Sequence, residues 1–124
     1  MKRLLTITAI IEGVTGLGLL ATPTVLARLL LGGTLDTPAA LTVARVGGTA
    51  LLAISVACWL TRENGKALVA AMLLYNAVVV GLLIYAAFVL ALSGLGLWPA
   101  LALHLAFAFW CIACLRSKEA RMMA

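Results

Sequence analysis

Charge is what this sequence has least of. Charged residues make up 10% of the 124, only four of them acidic, and there is one histidine. Hydrophobic residues account for 65%. A water-soluble domain of this length would not have enough polar groups to cover its surface. That excludes a soluble fold, and the surplus apolar side chains are expected to face lipid. The net charge of +5 does not point to nucleic acid, because the bases form no patch with interleaved aromatics. They stand instead at the ends of apolar runs, where they orient a membrane protein.

Catalytic patterns are missing too. No serine, cysteine or histidine stands with a base, and there is no phosphate loop or carboxylate dyad. The chain is therefore not expected to be an enzyme, and no cofactor or metal is expected.

Four apolar runs, 4–21, 40–60, 67–92 and 99–115, are long enough to cross a bilayer, which takes about 20 residues. The expected fold is all-α, a four-transmembrane-helix bundle in a single integral membrane domain, 1–124. Glu12 interrupts the first run and further spans follow it, so it is expected to be a retained helix and not a cleaved signal. After Thr22-Pro23, "TVLARLLLGG" predicts a short interfacial helix capped by Thr24 and stopped by Gly32-Gly33. Asp36 to Pro38 turn the chain into the second span, and "TRENGK" is a tight polar turn into the third.

Counting bases gives an orientation. With the N-terminus inside, Lys2, Arg3, Arg62, Lys66, Arg116, Lys118 and Arg121 are cytoplasmic, and only Arg28 and Arg45 lie outside. Both termini are thus expected in the cytoplasm.

The polar residues within the spans are the candidate site. At 1.5 Å per residue, Glu12 and Asn76 fall roughly 12–14 Å from the cytoplasmic ends of their helices, while Arg45 and His104 lie about 8 Å below the outer surface. This predicts an inner layer of Glu12 with Asn76 and an outer layer of Arg45 with His104. A carboxylate in hydrocarbon costs several kcal/mol or else takes a proton. Glu12 is therefore expected to be a structural carboxyl hydrogen-bonded to Asn76 rather than a coupling group; the alternatives are an ion pair with Arg45 and a proton-handling group. The small multidrug transporters also have four spans and a first-helix glutamate. Their aromatic cage has no counterpart in the sequence around Glu12, and the charge bias opposes dual topology, so the chain is not placed with them.

Arg45 is expected to snorkel to the outer interface, with Thr42 and Thr49 on its face. An anion or headgroup site shared with His104 is the alternative. His104 alone reads as a hydrogen-bonded structural residue, since haem would need a second protomer. Cys58, Cys111 and Cys114 fall in the reducing cytoplasmic half, so no disulfide is expected. They read as small apolar filler, with a metal or redox site as the weaker alternative. Trp59, Trp98 and Trp110 suit interface and packing positions. Small residues four apart, such as Ala9 and Gly13 or Ala44 and Gly48, permit close helix packing within the chain or, alternatively, self-association.

"ARVGG", "LLYN", "LWPALALH" and "WCIACL", which carry Arg45, Asn76, His104 and Cys111, resemble a group of small four-helix bacterial inner-membrane proteins of unknown function. The resemblance covers nearly the whole chain and implies no activity. The expected function is that of a non-enzymatic accessory or interaction subunit. Its partners would be the lipid bilayer and either a second copy or another membrane protein. The alternative is a small proton- or ion-coupled transporter or channel using Glu12, Asn76, Arg45 and His104.

Overall fold

The computed structural model describes the backbone of residues 1–122 and the side chains of residues 1–117. Its helices are α1 (Lys2–Ala21), α2 (Pro23–Leu31), α3 (Pro38–Leu60), α4 (Lys66–Phe88) and α5 (Leu97–Met122). No strand occurs among the described residues. Four of the helices, all but α2, are long and apolar enough to cross a membrane, as an integral membrane protein requires. The side chains of Lys118 and Arg121, both counted in the charge bias, lie outside the described residues.

Proline and glycine set the boundaries. Pro23 keeps Thr22 out of the helical region (φ −136°, ψ 60°) by crowding the residue before it. α1 therefore ends there, and Pro23 becomes the first residue of α2, where its missing N–H costs nothing. The cap of α2 is thus Thr22 and not Thr24. It offers no side-chain cap, because its hydroxyl donates back to Gly18 O at 3.3 Å. Gly32 ends α2 in the left-handed conformation, φ 74°, which a residue without Cβ adopts freely. α3 begins on Thr37, whose Oγ1 accepts from Ala40 N–H at 3.1 Å.

Two spans depart from their expected ends. The apolar run to residue 92 predicts a longer third span, but α4 stops at Phe88. Leu90 and Leu92 N–H turn back to Tyr85 O and Ala86 O at 3.2 and 3.0 Å, and Ala91 takes φ 52°. A tertiary contact imposes this stop: Gly96 N–H must reach Leu29 O on α2, 2.8 Å away, and Gly94 packs against the Leu30 backbone. α5 runs past residue 115 to Met122, since no glycine or proline stops it at the charged tail.

α3 packs along α1 and α4 along α5, and α2 lies across their ends. The α1–α3 seam is made by glycine. A Cβ on Gly16 would stand 2.7 Å from Gly48 O, and one on Gly48 would stand 2.7 Å from Gly16 O. Ser55 Oγ donates across the seam to Ala9 O at 2.6 Å. For Ala9, Gly13 and Gly48 this is close packing within one chain, the first of the two readings of small-residue spacing. Ala67, Ala71, Ala102 and Ala106 are exposed on the outside of the bundle.

The remaining interior lies at the end that carries the N-terminus. Leu4, Leu5 and Ala9 meet Cys58, Val69, Met72, Phe107, Cys111 and Cys114 there, in stripes at helical spacing on α1, α4 and α5. At the same end Lys2 Nζ reaches Glu63 at 2.6 Å, with both side chains exposed. A pair this wet contributes little. The Lys2 ammonium, hydrogen-bonded to the Glu63 carboxyl, holds it below the usual carboxylate range. The pair's small contribution is therefore present above that range and lost as pH falls through it. Trp59 is capped by the Arg62 guanidinium 4.3 Å above its ring, and Trp98 meets Phe88 edge-on at 6.1 Å.

The distribution of bases predicts which end faces the cytoplasm. An enzymatic reporter fused after Gly65 is expected to show cytoplasmic activity, and one fused after Gly33 is expected to show none. Cytoplasmic activity at Gly33 would overturn the orientation.

Candidate functional site

The polar side chains of the interior converge between α1, α4 and α5. Glu12 is 2% exposed and Asn76 1%. Both lie on buried helical stripes, with Thr8, Ala9 and Gly16 flanking Glu12 on α1 and with Val69 and Met72 preceding Asn76 on α4. Asn76 Nδ2 donates to Met72 O at 2.7 Å, one turn back on its own helix. Its Oδ1 faces His104 Nδ1 at 2.7 Å. Since the amide nitrogen is engaged elsewhere, Oδ1 is the acceptor and His104 Nδ1 carries the hydrogen. The uncharged ring then presents a bare Nε2.

Glu12 does not bond Asn76. Its Oε2 accepts from the Tyr75 hydroxyl at 3.2 Å, and its Oε1 is buried with no partner among the described residues. Tyr75 stands edge-on to His104, their ring centroids 5.8 Å apart. The cluster is therefore Glu12–Tyr75 beside Asn76–His104, and the two expected layers give way to one group. Tyr75 is the member of the cluster that the sequence does not single out. It stands directly before Asn76, but α4 is apolar all round, so nothing in the sequence turns Tyr75 toward α1.

Arg45 is not part of this group. It is exposed and donates through Nε to Leu20 O at 3.4 Å, at the carbonyl end of α1 where a cation is favoured. Among the described residues it makes no ion pair with Glu12, and the sole pair is Lys2 with Glu63. The Thr42 and Thr49 hydroxyls bond their own helix at Pro38 O and Arg45 O, so they do not build an anion site around the guanidinium. Cys58, Cys111 and Cys114 are free thiols packed in the apolar core. Among the described residues, no three His, Cys, Asp or Glu side chains converge as metal ligands do.

A cavity of about 480 Å³ adjoins the cluster. Glu12, Tyr75 and His104 supply its polar lining, with Thr15 one turn beyond Glu12, and Leu26 and Leu30 of α2 close another side. Gly96, Pro99 and Ala100 line it where α5 begins, so the early end of α4 and the docking of Gly94 on α2 also shape this space. Its size and its largely apolar wall with a few polar groups are those of a small-molecule site. Compared with known protein families, curated proteins and solved structures, the chain matches none.

Proposed function

We propose that this chain is a multi-pass protein of the bacterial inner membrane, with both termini cytoplasmic, that acts as a small proton-coupled carrier with Glu12 as its coupling group. One observation carries the reading. The Glu12 carboxyl has one oxygen held by Tyr75 and the other buried without a partner, in a residue that lines a cavity. A purely structural carboxyl within a membrane would have both oxygens bonded, and an accessory subunit needs no polar group left open. Asn76 and His104 do so; Glu12 does not. A single carboxyl can hold a proton or a cationic solute but not both at once, which is the minimum needed to exchange one for the other. At the Lys2 end the site is closed by Leu4, Leu5, Val69, Met72 and Phe107, so exchange needs this core to part.

Proton movement into liposomes carrying the pure protein and a trapped pH indicator tests the reading. Under an imposed pH gradient, flux is expected to saturate, to disappear in Glu12→Gln and to persist in Arg45→Ala, since Arg45 stands outside the cluster. Flux no greater than in empty vesicles, from protein that is folded, would instead favour the accessory subunit acting through its helix faces.

A further inference from the structure

The hydrogen-bonding groups around the cavity are unbalanced, and the imbalance selects a ligand. Tyr75 has given its only hydrogen to Glu12 Oε2, so its oxygen has lone pairs alone to offer. Glu12 Oε1 has no donor. His104 has committed its N–H to Asn76, and its Nε2 finds no partner among the described residues. With Glu12 ionised, three acceptors thus belong to residues that line one space, against a single hydroxyl donor at Thr15. The broad terminal torsion of a glutamate lets either carboxyl oxygen turn toward an incoming group. An anion or a carbonyl would leave all three acceptors unanswered, and a buried acceptor left unanswered is costly.

From this we infer that the cavity takes a primary ammonium group joined to a compact apolar body. Three N–H hydrogens on one centre match Glu12 Oε1, Tyr75 Oη and His104 Nε2, while Ile11, Leu26, Leu30 and Leu103 receive the hydrocarbon. Asn76 is a positioning residue, because it holds the hydrogen of His104 on Nδ1 and so keeps Nε2 an acceptor. The inference rests on the proposed role of this cavity and adds to it the chemical class of the solute.

Calorimetric titration of the pure protein in mild detergent, with empty micelles as the blank, tests it using four probes of one chain length. These are octylammonium, octyltrimethylammonium, octanol and octanoate. Octylammonium is expected to bind saturably at one site. Octyltrimethylammonium, which keeps the charge but has no N–H, is expected to bind at least about tenfold more weakly, as charge-assisted hydrogen bonds are worth that much. Glu12→Gln should weaken octylammonium by about tenfold or more, and Tyr75→Phe by a smaller factor. The second variant keeps the test decisive if the first folds poorly.

Equal binding of octyltrimethylammonium, tighter binding of octanoate, or octylammonium affinity unchanged in both variants would overturn the assignment. If no probe binds but proton flux still depends on Glu12, the ammonium class fails while the carrier stands. If octylammonium binds at Glu12 and no flux occurs, the class stands and the carrier fails.

Discussion

Gly48→Val is expected to cost about 3 kcal/mol or more of stability, the upper range for overpacking a tight contact. The first added atom would meet Gly16 O at 2.7 Å, Leu19 Cβ at 2.9 Å and Leu20 N at 3.1 Å. None of these is the far end of a flexible side chain, so α1 and α3 must move apart. In lipid no hydrophobic drive between helices resists that separation, and van der Waals contact across the seam is lost directly. The Ser55 hydroxyl would also be drawn from Ala9 O. Gly47 and Gly81 have nothing within 4 Å of a built Cβ. Valine at either is expected to shift stability by less than about 1 kcal/mol, the helical difference between glycine and other residues included. Unfolding by added sodium dodecyl sulfate, followed by circular dichroism, compares the three. Equal stability of Gly48→Val and Gly47→Val would contradict a glycine-built seam.

Asn76→Leu is expected to cost about 1–3 kcal/mol, although the two side chains are similar in size. The bond to Met72 O is within one helix and modest. The larger loss is at His104, whose half-buried Nδ1–H would be left without an acceptor among apolar helices. Replacing both partners by apolar groups removes the stranded hydrogen, so Asn76→Leu with His104→Leu should recover much of the loss. A double variant no more stable than the single one would show that Asn76 matters for its shape and not for its bond. His104→Leu alone leaves Asn76 Oδ1 unpaired and is expected to fall between the two.

Much of the architecture was legible in composition alone. Four apolar runs gave four long helices, and Pro23, Gly32, Pro38 and the "TRENGK" turn set boundaries by local chemistry. The end of α4 was not legible, because residues 89–92 are as apolar as the helix before them. What stops the helix is a contact with α2, more than fifty residues earlier in the chain. The site was legible as a set of residue types and not as pairs. Glu12, Asn76 and His104 stand out because polar groups are rare in such spans, and all three do cluster. Their partners were misassigned because depth along a helix can be counted, whereas rotation about its axis needs a hydropathy contrast that these helices lack. Tyr75 was hidden for the same reason, and Arg45 shared a depth with His104 without sharing a side of the bundle.

The claim that Glu12 is a reachable, proton-bearing carboxyl beside the cavity has a direct chemical test. Lipid-soluble carbodiimides add to protonated carboxyls and leave a stable acylurea that peptide mass spectrometry can place. With folded protein in mild detergent, modification is expected at Glu12, and unfolding in dodecyl sulfate should increase its rate only modestly. Glu12 that stays unmodified in the folded protein and reacts only after unfolding would contradict the account, and would mark the residue as a sealed structural carboxyl.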